Sequence, residues 1–232
     1  MSNDICLYCK QRPKAKYYTF CSTHCSNKVT DEAPHLIRVP PNHVLFKSVL
    51  SQFLKGWHHG SHPIIRSITL ITWDRRAKKR FDDYRFGIEK RERYVFKGKA
   101  PGNEVDRFRG LDRYCTIGEA GNRKLCNHPS CRVCEAISEG FGPHLRSKRK
   151  FLPADDYAHS HHPHAVYKAM LLCRTVLGRS FIVSKDMPKL SQPPPGFDSV
   201  CAATGPLSSF GSDESVVYDE RAILPAYLIV YG

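Results

Sequence analysis

The chain has 232 residues, 41% apolar and 25% charged, with ten cysteines and a formal charge of +14. That length buries a full core, and the apolar-to-charged balance excludes wholesale disorder. Apolar runs are strand-length and broken by charge, which excludes a spanning helix and leaves no expected membrane partner.

The start, MSNDICLYC, has no basic stretch leading into an apolar one, so the expectation is an intracellular protein, cytoplasmic or nuclear. Thiols in a reducing compartment point to metal rather than disulfides. The charge attracts nucleic acid, acidic proteins or phosphate-bearing small molecules. RRAKKR and SKRK suit nuclear import, although such runs are common on surfaces.

In chain order, residues 1–30 form a cysteine-rich module with Cys6, Cys9, Cys21 and Cys25 as two close pairs across a short loop. That pattern wraps one tetrahedral Zn²⁺, with His24 as reserve ligand. A module this small has too little core of its own, so the metal supplies most of its stability. Residues 31–232 are expected to form the second domain, opening on a Pro-containing connector, LIRVPPNH. VLFKSVLSQFLKGW places Phe46, Val49, Leu50, Phe53 and Trp57 at helical spacing. PIIRSITLITW alternates and suits a strand. DRRAKKRFDDYRFGIEKRERY carries Phe81, Tyr84 and Ile88 on one helical stripe, with a solvated charged face favoured over a nucleic-acid contact.

KGKAPGNEVDRFRG is a loop running into a strand. It leads to a second set, Cys115, Cys126, Cys131 and Cys134, with His128 in reserve. Four thiolates leave no open position for water, so both sites read as structural. Each filled site adds four thiolates and one Zn²⁺, a net −2, and two lower the formal charge from +14 to about +10. Residues 141–164 are expected as a polar, His-rich surface loop, with HSHHPH a polar segment or an adventitious metal contact. YKAMLLCRTVLGRSFIV reads as one long strand bent at Gly178, SQPPPGF as a rigid loop, DSVCAA as a short strand. Cys173 and Cys201 read as buried and inert. The chain closes on two strands, VVY and AYLIVY, with Glu214 at the mouth of the first. The order suits an α+β fold.

RFRGLDRYCTIG followed by CNHPSCRVC, KAMLLCRTVLG, and PPPGFDSV followed by SDESVVYDERAILPAYLIVY carry a family resemblance. Over almost its whole length the chain resembles the catalytic domain of poly(ADP-ribose) polymerase-like ADP-ribosyltransferases. It is similar in particular to short fungal members with cysteine clusters. The resemblance implies two small antiparallel sheets with flanking helices, and a cleft for NAD⁺ between the sheets. It matches Glu214 to the glutamate, Gly110 to the glycine whose backbone binds the nicotinamide amide, and Tyr157 to the tyrosine that stacks on the nicotinamide. Arg109 stands where the family has histidine, and Leu111 where it has threonine. By spacing from Phe141–Gly142 to Tyr157, Arg146 stands at the first tyrosine.

Cleaving the nicotinamide–ribose bond builds an oxocarbenium-like ribose, which a carboxylate such as Glu214 stabilises. Arginine accepts no hydrogen bond and opposes a developing cation, but it binds phosphate well. The function that the resemblance implies is NAD⁺ binding with ADP-ribose transfer, mono- rather than poly-, through Glu214, Arg109 and Arg146. The alternatives are a pseudoenzyme whose basic cleft binds nucleic acid or another anion, and a zinc-bearing scaffold for protein partners.

Overall fold

The computed structural model describes residues 4–16, 18–57, 60–142, 150–151, 159–184, 190–203 and 214–232. Among these, four helices flank two small sheets, an α+β arrangement. No helix of the described residues is long and apolar enough to cross a membrane.

The larger sheet joins β1 (Leu36–Arg38), β2 (Ile65–Ile71), β3 (Glu104–Gly110), β5 (Lys168–Val176) and β9 (Ile223–Tyr231). Its spatial order is β1-β2-β9-β5-β3, antiparallel throughout. β1 lies inside the stretch expected as a connector. Its prolines, Pro40 and Pro41, follow the strand and bound it, and the Val39 N–H still donates to the Ile68 carbonyl at 2.9 Å. Pro225 inside β9 sits at a bulge opposite Cys173, where its missing N–H costs no ladder bond.

The smaller sheet joins β4 (Lys150–Phe151), β6 (Ser180–Val183), β7 (Ser199–Ala202) and β8 (Ser215–Val217) in the order β4-β8-β7-β6. It departs from the antiparallel expectation, since β6 and β7 run parallel. The long connection from Val183 to Ser199 carries the chain back to the end it started from.

Two expected strands divide differently. YKAMLLCRTVLGRSFIV is two strands in two sheets, β5 and β6, rather than one bent strand. At the crossing Gly178 has φ +57, and a Cβ there would run into the Asp198 carboxylate. Both the conformation and the close approach require glycine. The closing strands also separate. β8 belongs to the smaller sheet and β9 to the larger, and their charged connector, a 3₁₀ turn over Glu220–Ala222, is the second crossing.

The helices follow their periodicity. α2 (Val44–Lys55) buries Val49 and Phe53 against the larger sheet, with the Phe53 ring 5.8 Å from Phe108 and 5.1 Å from Tyr231. His43 caps it, Nδ1 accepting from the Leu45 N–H at 3.1 Å, so that Nε2 donates to the Ile5 carbonyl at 2.9 Å. α3 (Arg75–Glu92) is capped by Asp74 and buries Phe81 and Ile88, as the stripe predicts. α1 (Thr23–Asp31) lies in the cysteine module, and α4 (Arg132–Glu139) in the second cysteine-rich stretch. α4 forms because Val133, Ala136 and Ile137 share one face and are all fully buried.

The larger sheet has a core on each face. On one, Ile68, Met170, Leu172 and Ile229 pack with α2 and with Leu7 and Val29 of the N-terminal module. On the other, Leu171, Cys173, Leu228 and Val230 pack with α3, α4, the second cysteine cluster and strands of the smaller sheet.

Candidate metal centres and the expected cleft residues

In the first cluster, Cys6 and Cys9 sit on a tight turn closed by the Lys10 N–H on the Cys6 carbonyl at 2.9 Å. Lys10 takes the left-handed conformation, φ +57, that turns the chain back after Cys9. Ser22 caps α1 by accepting from the Cys25 N–H at 3.3 Å, which fixes Cys25 in the first helical turn. All four sulfurs lie within 4.8 Å of one another, with Cys9–Cys21 and Cys21–Cys25 at 3.6 Å. Bonds of about 2.3 Å at the tetrahedral angle put sulfurs about 3.8 Å apart, so the set fits zinc. The Gln11 and Arg12 N–H groups hold the Cys9 pKa down at about 6, which favours its thiolate, while burial and the neighbouring thiols push Cys21 up to about 12. Cys25 is buried and His24 exposed, so the cysteine completes the set.

The second cluster is equally compact. Cys115, Cys126, Cys131 and Cys134 bring their sulfurs within 4.8 Å of one another, with Cys115–Cys131 at 3.8 Å and Cys115–Cys134 at 3.6 Å. The Tyr114 N–H donates to Cys131 Sγ at 3.3 Å and the Cys126 N–H to Cys134 Sγ at 3.4 Å. The Cys115 and Cys134 thiols, with the Tyr114 N–H, hold the Cys131 thiol far below its ordinary pKa. His128 is not a ligand. It stacks on Tyr114 at 4.5 Å, and His161 stacks on Tyr114 at 4.7 Å. Part of the expected His-rich loop is thus packed, and within the described residues only the two four-cysteine sets group as metal ligands.

A buried arginine locks this second loop. Arg113 is fully buried and pairs with Glu119. It also donates to Ser160 Oγ at 2.9 Å, to the Ile117 carbonyl at 3.0 Å and to the Tyr167 carbonyl. Its backbone pairs with His159 and His161. One guanidinium therefore ties the cysteine loop to the segment before β5. Gly118, φ +86, carries the loop so close to β9 that a Cβ would lie 2.7 Å from Val230 Cγ2. Sequence reasoning missed Arg113. The available signal was a charged residue between Leu111 and Ile117, both of which are core.

The residues that the resemblance assigns to a cleft, where described, lie on β3 and just before β8. Arg107 faces Cys173 across the β3–β5 ladder, Arg109 faces Leu171, and Gly110 faces Met170. Directly opposed residues share a face, so Arg107 and Arg109 point to the inter-sheet side with Cys173 and Leu171. Burial raises the Cys173 thiol pKa strongly and the charge of Arg109 pulls it back, as that shared face requires. Arg107 Nε donates to Ser215 Oγ at 3.2 Å, bridging the two sheets. Glu214 precedes Ser215, and its carbonyl accepts from the Ala202 N–H at 2.9 Å. The bridge ties β3, which ends in Arg109 and Gly110, to the residue that follows Glu214. Arg146 and Tyr157 lie outside the described residues. Leu111 joins the core between the sheets. Cys173 and Cys201 are buried, and the Cys201 thiol donates to Ser215 Oγ at 3.5 Å. Arg107 was also missed in the sequence, although its i,i+2 relation to Arg109 is the signal for a shared strand face.

No model of a known protein family matches the chain. None of the curated proteins matches it.

Proposed function

We propose that the chain is an ADP-ribosyltransferase-type protein that binds NAD⁺ between β3 and the mouth of β8. The observation that supports this reading is the Arg107–Ser215 bridge, because it ties β3, the strand that carries Arg109 and Gly110, to the residue that follows Glu214. In this reading Glu214 accepts hydrogen bonds from the ribose hydroxyls, and the Gly110 backbone meets the nicotinamide amide. Arg109, with Arg146, binds the pyrophosphate as a charge-assisted donor. Tyr157 stacks on the nicotinamide ring. Zinc at the two cysteine sets is structural, and the transfer is of single ADP-ribose units.

A second reading has its own observation. Two arginines, 107 and 109, share the inter-sheet face of β3. Permanent cations there oppose an oxocarbenium-like ribose while favouring bound phosphate, so the site holds the dinucleotide without turning it over.

Thermal melting with NAD⁺ and with ADP-ribose tests binding. A ligand at about a hundredfold over its Kd stabilises by about 2.7 kcal/mol, or roughly 5–10 °C for a chain of this length. The shift is expected to vanish in Arg109→Ala. No shift with either ligand, or one indifferent to Arg109→Ala, sinks the proposal. Labelled NAD⁺ then separates the two readings: label transfer or nicotinamide release lost in Glu214→Ala supports transfer, and a melting shift without turnover supports binding alone.

A further inference from the structure

The solvent face of α3 leads into a turn that the cleft does not use. Lys79, Asp83, Phe86, Lys90 and the left-handed cap Arg93 follow one another at spacings of four and three, opposite the buried Phe81 and Ile88. Beyond the cap, a 3₁₀ turn over Val95–Lys97 holds Phe96 88% exposed, and Phe86 on the helix is 68% exposed. Most large apolar side chains of the described residues are buried or half-buried, so two rings this bare on one strip stand apart.

The turn is pinned. The Glu89 carboxylate accepts from the backbone N–H groups of Tyr94 at 3.1 Å, Val95 at 3.0 Å and Gly102 at 2.8 Å. The Lys99 N–H closes on the Tyr94 carbonyl at 3.1 Å. Phe96 is therefore displayed on a fixed loop, and ordering it on a partner costs little entropy.

Beyond Phe86 the charge along the strip is basic. Lys90 and Arg93 follow Phe86 on the helix face, Lys97 and Lys99 follow Phe96 with their ammonium groups over the Tyr94 ring at 5.0 and 5.8 Å, and among the described residues no carboxylate forms an ion pair with any of the four. The nearby acids are engaged elsewhere: Glu89 on backbone amides, Glu92 and Asp198 on Arg91, Asp83 on Lys79.

We propose that this strip binds single-stranded nucleic acid, with bases stacking on Phe86 and Phe96 and phosphates meeting Lys90, Arg93, Lys97 and Lys99. A single strand offers π-faces and phosphates in alternation. In chain order the strip reads ring, cation, cation, ring, cation, cation, with about 10 Å of helix between Phe86 and Arg93. A duplex hides its base faces. A bilayer surface rewards contiguous apolar area, and here cations separate the two rings.

The test is fluorescence anisotropy with labelled oligo(U) and oligo(dT) of about twelve nucleotides, over a salt series. Phe86→Ala and Phe96→Ala are each expected to weaken binding roughly tenfold with little change in salt slope, and Phe96→Trp to keep it. Lys97→Gln with Lys99→Gln should lower the salt slope by about 1.4. All four side chains are exposed, and an unchanged melting temperature in each variant confirms that the fold is intact. The proposal is overturned by no binding at low salt, by binding indifferent to both phenylalanines, or by equal affinity for a duplex. It is equally overturned if only phosphatidylserine vesicles bind and Phe96→Ala abolishes that binding, which assigns the strip to a lipid surface.

Discussion

The two four-cysteine sets have the same ligands and nearly the same sulfur spacing, yet their surroundings differ. The first sits at the rim, with Cys9 and Cys21 half-exposed, and its module reaches the core through Leu7 and Val29. The second lies inside the core between the sheets, with Cys115, Cys131 and Cys134 buried and the loop fastened by Arg113. Similar coordination chemistry therefore carries different structural weight. A metal at the rim would organise a small module, whereas a metal in the core would organise the ground on which the sheets meet.

The sharpest way to break this contrast is to remove one ligand from each set. Structural zinc contributes about 10–16 kcal/mol where it organises a fold. Cys134→Ser should lose one zinc equivalent and the cooperative unfolding transition together. Cys21→Ser should also lose one zinc but keep the main transition, weakened by about what Leu7 and Val29 burial contributes, roughly 1.5–3 kcal/mol each. Metal stoichiometry and near-ultraviolet circular dichroism read both. Equal collapse of the two variants would show that the rim module and the core site are one cooperative unit.

The next effect is smaller and concerns the fastening of the core site. Arg113→Leu leaves Glu119 buried without its partner, at a cost of about 3–5 kcal/mol by urea unfolding. Adding Glu119→Gln removes the stranded charge and should recover part of the loss. If Arg113→Leu is neutral, the zinc alone holds the loop and the guanidinium is dispensable.

The smallest effect belongs to a loop held by neither metal nor buried pair. The Gly102 N–H, with those of Val95 and Tyr94, holds the Glu89 carboxyl below the usual carboxylate range. A depressed folded pKa contributes stability that is fully present above the unfolded value, near 4.3, and is lost as pH falls through the folded one. Hydrogen-exchange protection at Tyr94, Val95 and Gly102 should therefore drop in acid, and Glu89→Gln should remove that pH dependence. Protection that ignores both acid and the substitution would show that packing, not the carboxylate, closes the turn.

Much of the fold was legible in the residues. The stripes at Val49 and Phe53, and at Phe81 and Ile88, name buried helix faces because the helical period is local information. Both cysteine sets were legible too, since thiol spacing encodes which sulfurs can meet. The strand assignments were less so. A continuous apolar run such as YKAMLLCRTVLGRSFIV has no internal mark of a change of sheet except Gly178, and what demands glycine there is Asp198, distant in sequence. The proposed cleft was half legible: the resemblance pointed to Arg109, Gly110 and Glu214, whereas the i,i+2 spacing of Arg107 could suggest a shared strand face but not its bond to Ser215.

The sequence by itself determined the α+β composition, the two helical faces, the ligand sets able to hold zinc and the basic charge. Tertiary structure alone decided that β5 and β6, and likewise β8 and β9, belong to different sheets, and that Arg113 is buried while His128 and His161 stack on Tyr114. The reason is physical. Periodicity and ligand spacing are properties of neighbouring residues. Strand partnership and the cost of burying a charge depend on groups brought together from far along the chain.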